Sequence, residues 1–288
     1  MTMDVAGSID AFAAWRVGAA GRLGVVPTMG ALHDGHLSLV RRARRECDRV
    51  VTTIFVNPSQ FAPQDDLNAY PRDLPRDLAL LTTEGVDCVF TPTEPMMYPA
   101  GFSSWVIVER LTDRWEGVSR PGHFRGVATI VLKLLNLARA DRAYFGEKDY
   151  QQLQVVRRMV RDLDVPTEIV PCPTVREADG LAMSSRNAYF SPVERQAATA
   201  LWWGLGAARD ACLGGERGGD ALARLAAAAI QREPLARVDY TGVADPETLE
   251  PVPRVEDTGA ICLMAAWVGK VRLIDNLRLV PTDRTVSA

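Results

Sequence analysis

The sequence predicts an α/β protein: a parallel-sheet region first, then a smaller α+β region with its own antiparallel sheet. Three observations support that expectation. Short apolar, β-branched runs alternate with helical patterns over the first half, as in Leu23 to Val26, Arg49 to Val56 and Arg142 to Gly146. Twice such a run passes through a glycine-containing turn straight into a helix, at Met29 to His36 and again at Gly146 to Asp149. Beyond Pro171 and Pro173 the pattern changes to helices and then strands, the last two joined by a Gly269-Lys270 hairpin turn. The expected domains are residues 1–174 and 175–288.

Composition narrows the function. A chain of 288 residues can bury a large core, and its formal charge of -3 argues against a nucleic-acid binder that relies on a broad basic surface. Cys47, Cys88, Cys172, Cys212 and Cys262 show neither metal-ligand spacing nor a disulfide framework, so each reads as a small core hydrophobe in a reducing compartment. The opening residues have no basic n-region, and Ala197 to Ala208 and Gly259 to Gly269 are too short to span a bilayer. A soluble, cytoplasmic protein without membrane or nucleic-acid partners is expected.

Taken in order, Ser8 caps a helix ending at Gly18 or Gly21, the Leu23 strand follows, and a helix runs from His36 to about Cys47. Arg41, Arg42, Arg44 and Arg45 lie at the far end of that helix from its turn and read as a solvated face. The Arg49 strand ends in Asn57-Pro58-Ser59-Gln60, where a parallel sheet places ligands, so Gln60 and Asn57 are candidate contacts. Pro75 sets the next helix at Arg76 to Glu84, followed by a strand at Asp87 to Thr91. Glu94 to Gly101 reads as a loop with an exposed Met96-Met97 pair, and Ser104 to Glu109 as an edge strand. A flexible loop, Trp115 to Gly126, supplies Arg120, His123 and Arg125 as anion donors ahead of a helix from Val127 to Leu137. After the Arg142 strand come a helix to about Leu163 and a strand at Thr167 to Val170. The second region contains helices Pro192 to Ala211 and Asp220 to Gln231, then strands Val238 to Val243, Ala260 to Val268 and Val271 to Asp275.

Three separated segments share one chemistry: the turn with His33 and His36, the turn from Gly146 to Asp149, and Met183-Ser184-Ser185-Arg186. Each puts imidazole, ammonium, guanidinium, hydroxyl or backbone N–H donors at a loop end, and a helix N-terminus adds its dipole. That inventory suits charge developing on phosphate oxygens. It matches neither a P-loop nor a dinucleotide fingerprint, and all three histidines sit in anion-rich loops, which excludes a Ser-His-Asp triad.

The strings that hold these residues resemble a known family. His33-Asp34-Gly35-His36 and Met183-Ser184-Ser185-Arg186 look like the two signatures of the HIGH-type nucleotidyltransferase superfamily. Pro27 to His33, Phe55-Val56-Asn57-Pro58, Arg120 to Phe124, Phe145 to Asp149 and Arg272-Leu273-Ile274-Asp275-Asn276, in this order, resemble the pantothenate synthetase (pantoate–β-alanine ligase) family across essentially the whole chain. The resemblance implies a Rossmann-like nucleotide-binding domain, a smaller C-terminal lid, a homodimer, and ATP, Mg²⁺, pantoate and β-alanine as ligands. It implies attack of the pantoate carboxylate on the α-phosphate of ATP to form pantoyl adenylate, then displacement of AMP by the β-alanine amine.

Carried onto this chain, the resemblance makes Met29, Gly30, Ala31, Leu32, His33, Asp34, Gly35 and His36 a nucleotide-binding segment. His36 takes the position assigned as proton donor, with His33, Lys148 and Arg186 completing the catalytic set. Gly146, Glu147, Lys148 and Asp149 contact ATP, Lys148 on the phosphates and Asp149 on the ribose. Val175 meets the adenine, and Met183, Ser184, Ser185 and Arg186 close over the triphosphate. Gln60 touches pantoate and β-alanine, Gln152 the pantoate, and Arg120 adds a clamp. No protein ligand for Mg²⁺ is assigned: Asp77, Asp149 and the phosphates themselves are the candidates to bear on it, while Asp65 and Asp66 read as a solvated turn. The alternatives are another HIGH-type nucleotidyltransferase acting on a different small acid or phosphate acceptor, and a non-catalytic nucleotide-binding protein.

Overall fold

Residues 3–61, 67–68 and 70–282 are described by a computed structural model, and Asp65 and Asp66 lie outside them. Backbone contacts divide the chain into two compact units. The first comprises Met1–Glu147 and Gln151–Pro173, the second Lys148–Tyr150 and Thr174–Ala288.

The first unit is built on a six-stranded parallel sheet: β1 (Asp4–Ala6), β2 (Leu23–Thr28), β3 (Arg49–Ile54), β4 (Cys88–Phe90), β5 (Arg142–Gly146) and β6 (Glu168–Cys172). Its order is β1-β4-β3-β2-β5-β6. The connections include α1 (Ile9–Gly18), α2 (Asp34–Glu46), α3 (Leu74–Thr83), the short α4 (Glu94–Met97) and α5 (Glu116–Ser119), α6 (His123–Ala138) and α7 (Tyr150–Asp162). The central strands are apolar on both faces because helices cover both sides, and Leu23, Val25, Val26, Val50 and Val51 are fully buried. This is the parallel α/β arrangement that the alternating pattern predicted and the Rossmann-like domain that the family resemblance implied.

Chain order reverses at β2, whose successor β3 lies on one side and β5 on the other. The pairing of β2 with β5 covers only Gly24 with Arg142 and Val25 with Ala143, although both strands continue toward their carboxyl ends. A switch point where neighbouring strands part is where open parallel sheets bind ligands.

In the second unit, α8 (Pro192–Ala197), α9 (Ala200–Leu213) and α10 (Gly219–Ile230) accompany an antiparallel sheet of β7 (Ala236–Ala244), β8 (Ala260–Val268) and β9 (Val271–Leu279). Leu201 and Leu205 of α9, Leu222 and Ile230 of α10, and Cys262 and Met264 of β8 share one core.

Several local expectations need correction. The Pro192 helix breaks at Ala198 and Thr199. Pro75 does not delay α3: it occupies the first turn, where a missing N–H costs no helical bond, and Asp73 caps from outside by accepting the Arg76 N–H. Ser104 to Glu109 forms no strand, and its Val106 N–H goes to the Thr129 hydroxyl. β1 was not expected from its sequence, since three residues show no period. Met97 is fully buried rather than exposed, because α4 turns it inward. The Trp115 to Gly126 stretch is not a plain loop: it contains α5 and the first turns of α6. All five cysteines are free and buried, and burial pushes the Cys88 and Cys262 thiols up to about 12, out of reach of ionisation at neutral pH. Among the described residues no helix is long and apolar enough to cross a membrane.

Candidate active site

The turn after β2 is fixed by contacts that begin in its own sequence. The Thr28 hydroxyl donates to Thr53 O at 2.8 Å and accepts the Gly30 N–H at 3.2 Å. Gly30 sits at φ +79°, and a Cβ there would stand 3.1 Å from the Asp77 carboxylate, so only glycine lets the chain turn this close. Ala31 follows, also left-handed at φ 51°. Its N–H and that of Leu32 donate to the two Asp77 oxygens, each at 2.8 Å, and Arg76 donates to Leu32 O at 3.0 Å.

Asp77 is 1% exposed, and burial raises its pKa against the opposing pull of those two N–H donors. Both oxygens are engaged by backbone, so Asp77 braces the turn and does not offer itself to a metal. The sequence named this residue only as a candidate to bear on Mg²⁺. Its bracing role spans more than forty positions and leaves no local signal.

The two histidines cap α2. The Gly35 N–H donates to His33 Nδ1 at 3.1 Å, and the His33 N–H donates to His36 Nδ1 at 3.4 Å, a reciprocal capping box made of imidazoles. Their rings lie 4.1 Å apart. A neutral ring accepting at Nδ1 carries its proton on Nε2. Both imidazoles are therefore set as Nε2–H donors at the N-terminus of a thirteen-residue helix, beside the opening between β2 and β5.

Gln60 ends a single 3-10 turn, Pro58–Gln60, just past β3. Its amide accepts from Asn57 Nδ2 at 2.9 Å and donates to Met29 Sδ at 3.1 Å, which brings Gln60 against the β2 turn. Its main-chain carbonyl accepts from His123 Nδ1 at 2.8 Å and from Arg120 at 3.4 Å. Arg120 also lies 3.4 Å from His123 Nε2, so the histidine is the Nδ1–H tautomer. Thus His123 is a buried support at the head of α6 rather than a loop donor, and Arg120 reaches the Gln60 backbone. On α7, Gln152 is half-buried, whereas Gln151 is buried and ties down Leu111 O, Arg114 O and the Glu116 N–H.

The second unit positions Lys148 and the Val175 hairpin by long-range contacts. Gly146 ends β5 opposite Cys172, Glu147 still belongs to the first unit, and Lys148–Tyr150 group with the second. Asn276 Nδ2 donates to Lys148 O at 2.9 Å, and the Tyr150 hydroxyl to Pro246 O at 3.1 Å. Lys148 Nζ stands 4.0 Å from Asp149, which is half exposed. Val175 accepts the Met183 N–H, closing a small hairpin through the Arg176–Ala182 bridge. Arg176 anchors that hairpin with paired bonds of 2.7 and 2.9 Å to the buried Asp275, and its guanidinium lies over the Trp202 ring. Ser184 caps the 3-10 turn Ser185–Tyr189 by accepting the Arg186 N–H.

Asp275 and Asn276 of β9 thus hold both donor segments of this unit. Among the described residues no group of three or more His, Cys, Asp or Glu side chains could hold a metal ion.

Comparison with known proteins sets this geometry in context. The pantoate-beta-alanine ligase family model matches residues 3–278. The chain is 54% identical to the pantothenate synthetase of Roseiflexus castenholzii over 274 residues, 95% of this chain and 98% of that protein. The crystal structure of pantothenate synthetase from Thermus thermophilus superimposes with a TM-score of 0.92 at 50% identity, covering 97% of this chain and 100% of that one. A pantoate-beta-alanine ligase from Francisella tularensis, solved with β,γ ATP and β-alanine, superimposes with a TM-score of 0.80 at 34% identity, covering 96% and 98%.

Proposed function

The chain belongs to the pantoate–β-alanine ligase family, and from that premise we propose how its residues divide the work of joining pantoate to β-alanine with ATP. The ligation itself follows from high-identity relatives over nearly the full chain, and they do not favour the alternative of another nucleotidyltransferase.

The capped pair His33 and His36 supports the assignment best. A carboxylate attacking the α-phosphate needs no general base, since it is already anionic. What the step needs is stabilisation of charge on the phosphate oxygens as pyrophosphate leaves. In our reading the two Nε2–H groups supply it and the helix dipole adds to them, because the main-chain N–H groups of Gly30, Ala31, Leu32, His33 and Gly35 are spent within the turn itself. Lys148, Ser184, Ser185 and Arg186 supply the same class of donor from the second unit. Gly146, Glu147 and Asp149 take the nucleoside side of ATP, and Val175 its base. Gln60 and Gln152 bind pantoate, with Gln60 also reaching β-alanine. Arg120 acts on this region through the Gln60 backbone. The amine of β-alanine then attacks the acyl adenylate, forming the amide as the bond to AMP breaks.

Mg²⁺ fits this reading as the counter-ion carried by the ATP phosphates, because the described residues offer no cage of carboxylates and Asp77 is spent on backbone N–H groups. A homodimer in the cytoplasm completes the proposal, supported by the family resemblance and by cysteines that are all free.

The test is exchange of labelled pyrophosphate into ATP without β-alanine. Exchange that requires pantoate supports the adenylate route. Its absence in folded, ATP-binding protein would overturn the two-step order.

A further inference from the structure

Gln60 is gripped so that only one end of its amide can face a substrate, and the gripping residues lie outside the three donor segments. We propose that Asn57, Ser59, Tyr98 and Gly126 are positioning residues that lock the polarity of the Gln60 carboxamide, presenting its NH₂ end to oxygen atoms of the acid substrate. This rests on the reading that Gln60 contacts pantoate.

Proton bookkeeping fixes each amide in turn. The Gly126 carbonyl can only accept, and it lies 3.3 Å from one end of the Asn57 amide, which must therefore be Nδ2. The other end, Oδ1, lies 2.9 Å from the Ser59 hydroxyl and 2.8 Å from the Tyr98 hydroxyl, which are themselves 2.9 Å apart, so at least one of the two donates to it. Burial raises the Tyr98 phenol above its ordinary pKa, so it remains a donor at neutral pH. Nδ2 also faces Gln60 at 2.9 Å, so the Gln60 atom there must be the acceptor, Oε1. The NH₂ end of Gln60 then points the other way, where it donates to Met29 Sδ at 3.1 Å. A thioether is a weak acceptor, and a carboxylate or hydroxyl oxygen replaces it at little cost.

Asn57 is 1% exposed, and turning it over would set its oxygen against the Gly126 carbonyl. Gly126 is required for this arrangement. A Cβ there would lie 2.3 Å from Ser59 O and 2.5 Å from its carbon, so any larger residue would push α6 off the Pro58–Gln60 turn. One main-chain carbonyl thus sets Asn57, and Asn57 sets Gln60. The presented NH₂ group accommodates the carboxylate or hydroxyl of pantoate and the carboxylate of β-alanine, and it disfavours an ammonium group at the same place.

Three variants test this in pantoate-dependent pyrophosphate exchange, with melting temperature followed alongside. Asn57→Asp keeps the shape but puts an acceptor where Gln60 needs a donor, turning its carboxamide round. The Michaelis constant for pantoate should rise about tenfold and that for ATP should not change. Tyr98→Phe, which removes one hydroxyl without altering packing, should raise the pantoate constant about threefold at an unchanged melting temperature. Gln60→Ala separates the two levels of the reading. If it leaves the pantoate constant unchanged, Gln60 does not touch the acid and both readings fall. If it raises that constant while Asn57→Asp and Tyr98→Phe move neither constant, or move pantoate and ATP equally, Gln60 binds substrate and the polarity lock is wrong.

Discussion

The turn after β2 and the donor segments of the second unit hold the same kind of chemical group, yet the histidines of the first are set by local caps while Lys148 and the Val175 hairpin of the second are tied to a distant strand. Around Met29 to His36 the contacts that set the two imidazoles span only two or three residues, while the turn before them is braced from Asp77 and Arg76, more than forty residues away. In the second unit Ser184 caps its own turn, but Arg176 is joined to Asp275 and Lys148 to Asn276 across roughly a hundred residues or more. A donor that carries its own cap is in place once its helix forms. A donor tied to a distant strand is in place only after the whole unit has folded. Variants can break that contrast or sharpen it.

The largest effect is expected at Lys148. Lys148→Ala removes the ammonium but leaves the main-chain carbonyl that Asn276 holds, so turnover should fall about 10²- to 10³-fold at a nearly unchanged melting temperature. An equal loss of folding would return Lys148 to a structural role. Next comes Arg176→Ala, which strands the buried Asp275 carboxylate and should cost about 3 kcal/mol in denaturant unfolding. A loss below about 1 kcal/mol would mean that the hairpin does not depend on this bracket.

Asp77→Asn tests the brace of the first turn. It leaves one of two backbone N–H groups facing another donor and should cost about 2 kcal/mol.

The acids of the two regions should also respond to pH in opposite senses. Because burial raises the folded pKa of Asp77 above its ordinary 3.8, the folded state holds this proton longer than the unfolded chain. Its contribution to stability therefore declines as pH rises from 3.8 through the raised value. Asp179 is held below 3.8 chiefly by its hydrogen bond from Arg195, so its contribution is present above 3.8 and is lost as pH falls through the lowered value. Unfolding of wild type against Asp77→Asn and Asp179→Asn across this range should show the two differences changing in opposite directions. A common trend would refute the assignment.

The smallest effect belongs to Arg41, which pairs with Glu84 at 2.9 Å on the solvent side of α2. Arg41→Ala should cost about 0.5 kcal/mol and leave activity unchanged.

The same contrast explains what could be read before the structure was known. Long periodic elements were legible: β5 and β8 match their expected spans, and α2 differs by two residues at its start. Failures came where a short segment depends on partners elsewhere. β1 is only three residues paired to β4, and Ser104 to Glu109 has the alternation of a strand but turns to Thr129 instead. His123 looked like one more anion donor, because its sequence neighbours are polar and nothing local shows that it faces Gln60 O.

The sequence by itself determined the α/β class, the donor inventory and the start of α2 to within two residues, since periodicity and glycine turns act over a few residues. The tertiary structure alone decided that Asp77 braces a turn, that β9 carries Lys148 and the Arg176 hairpin, and which end of Gln60 faces outward. Buried polar groups must find partners wherever the fold brings them together, and those pairings skip tens of residues in the chain.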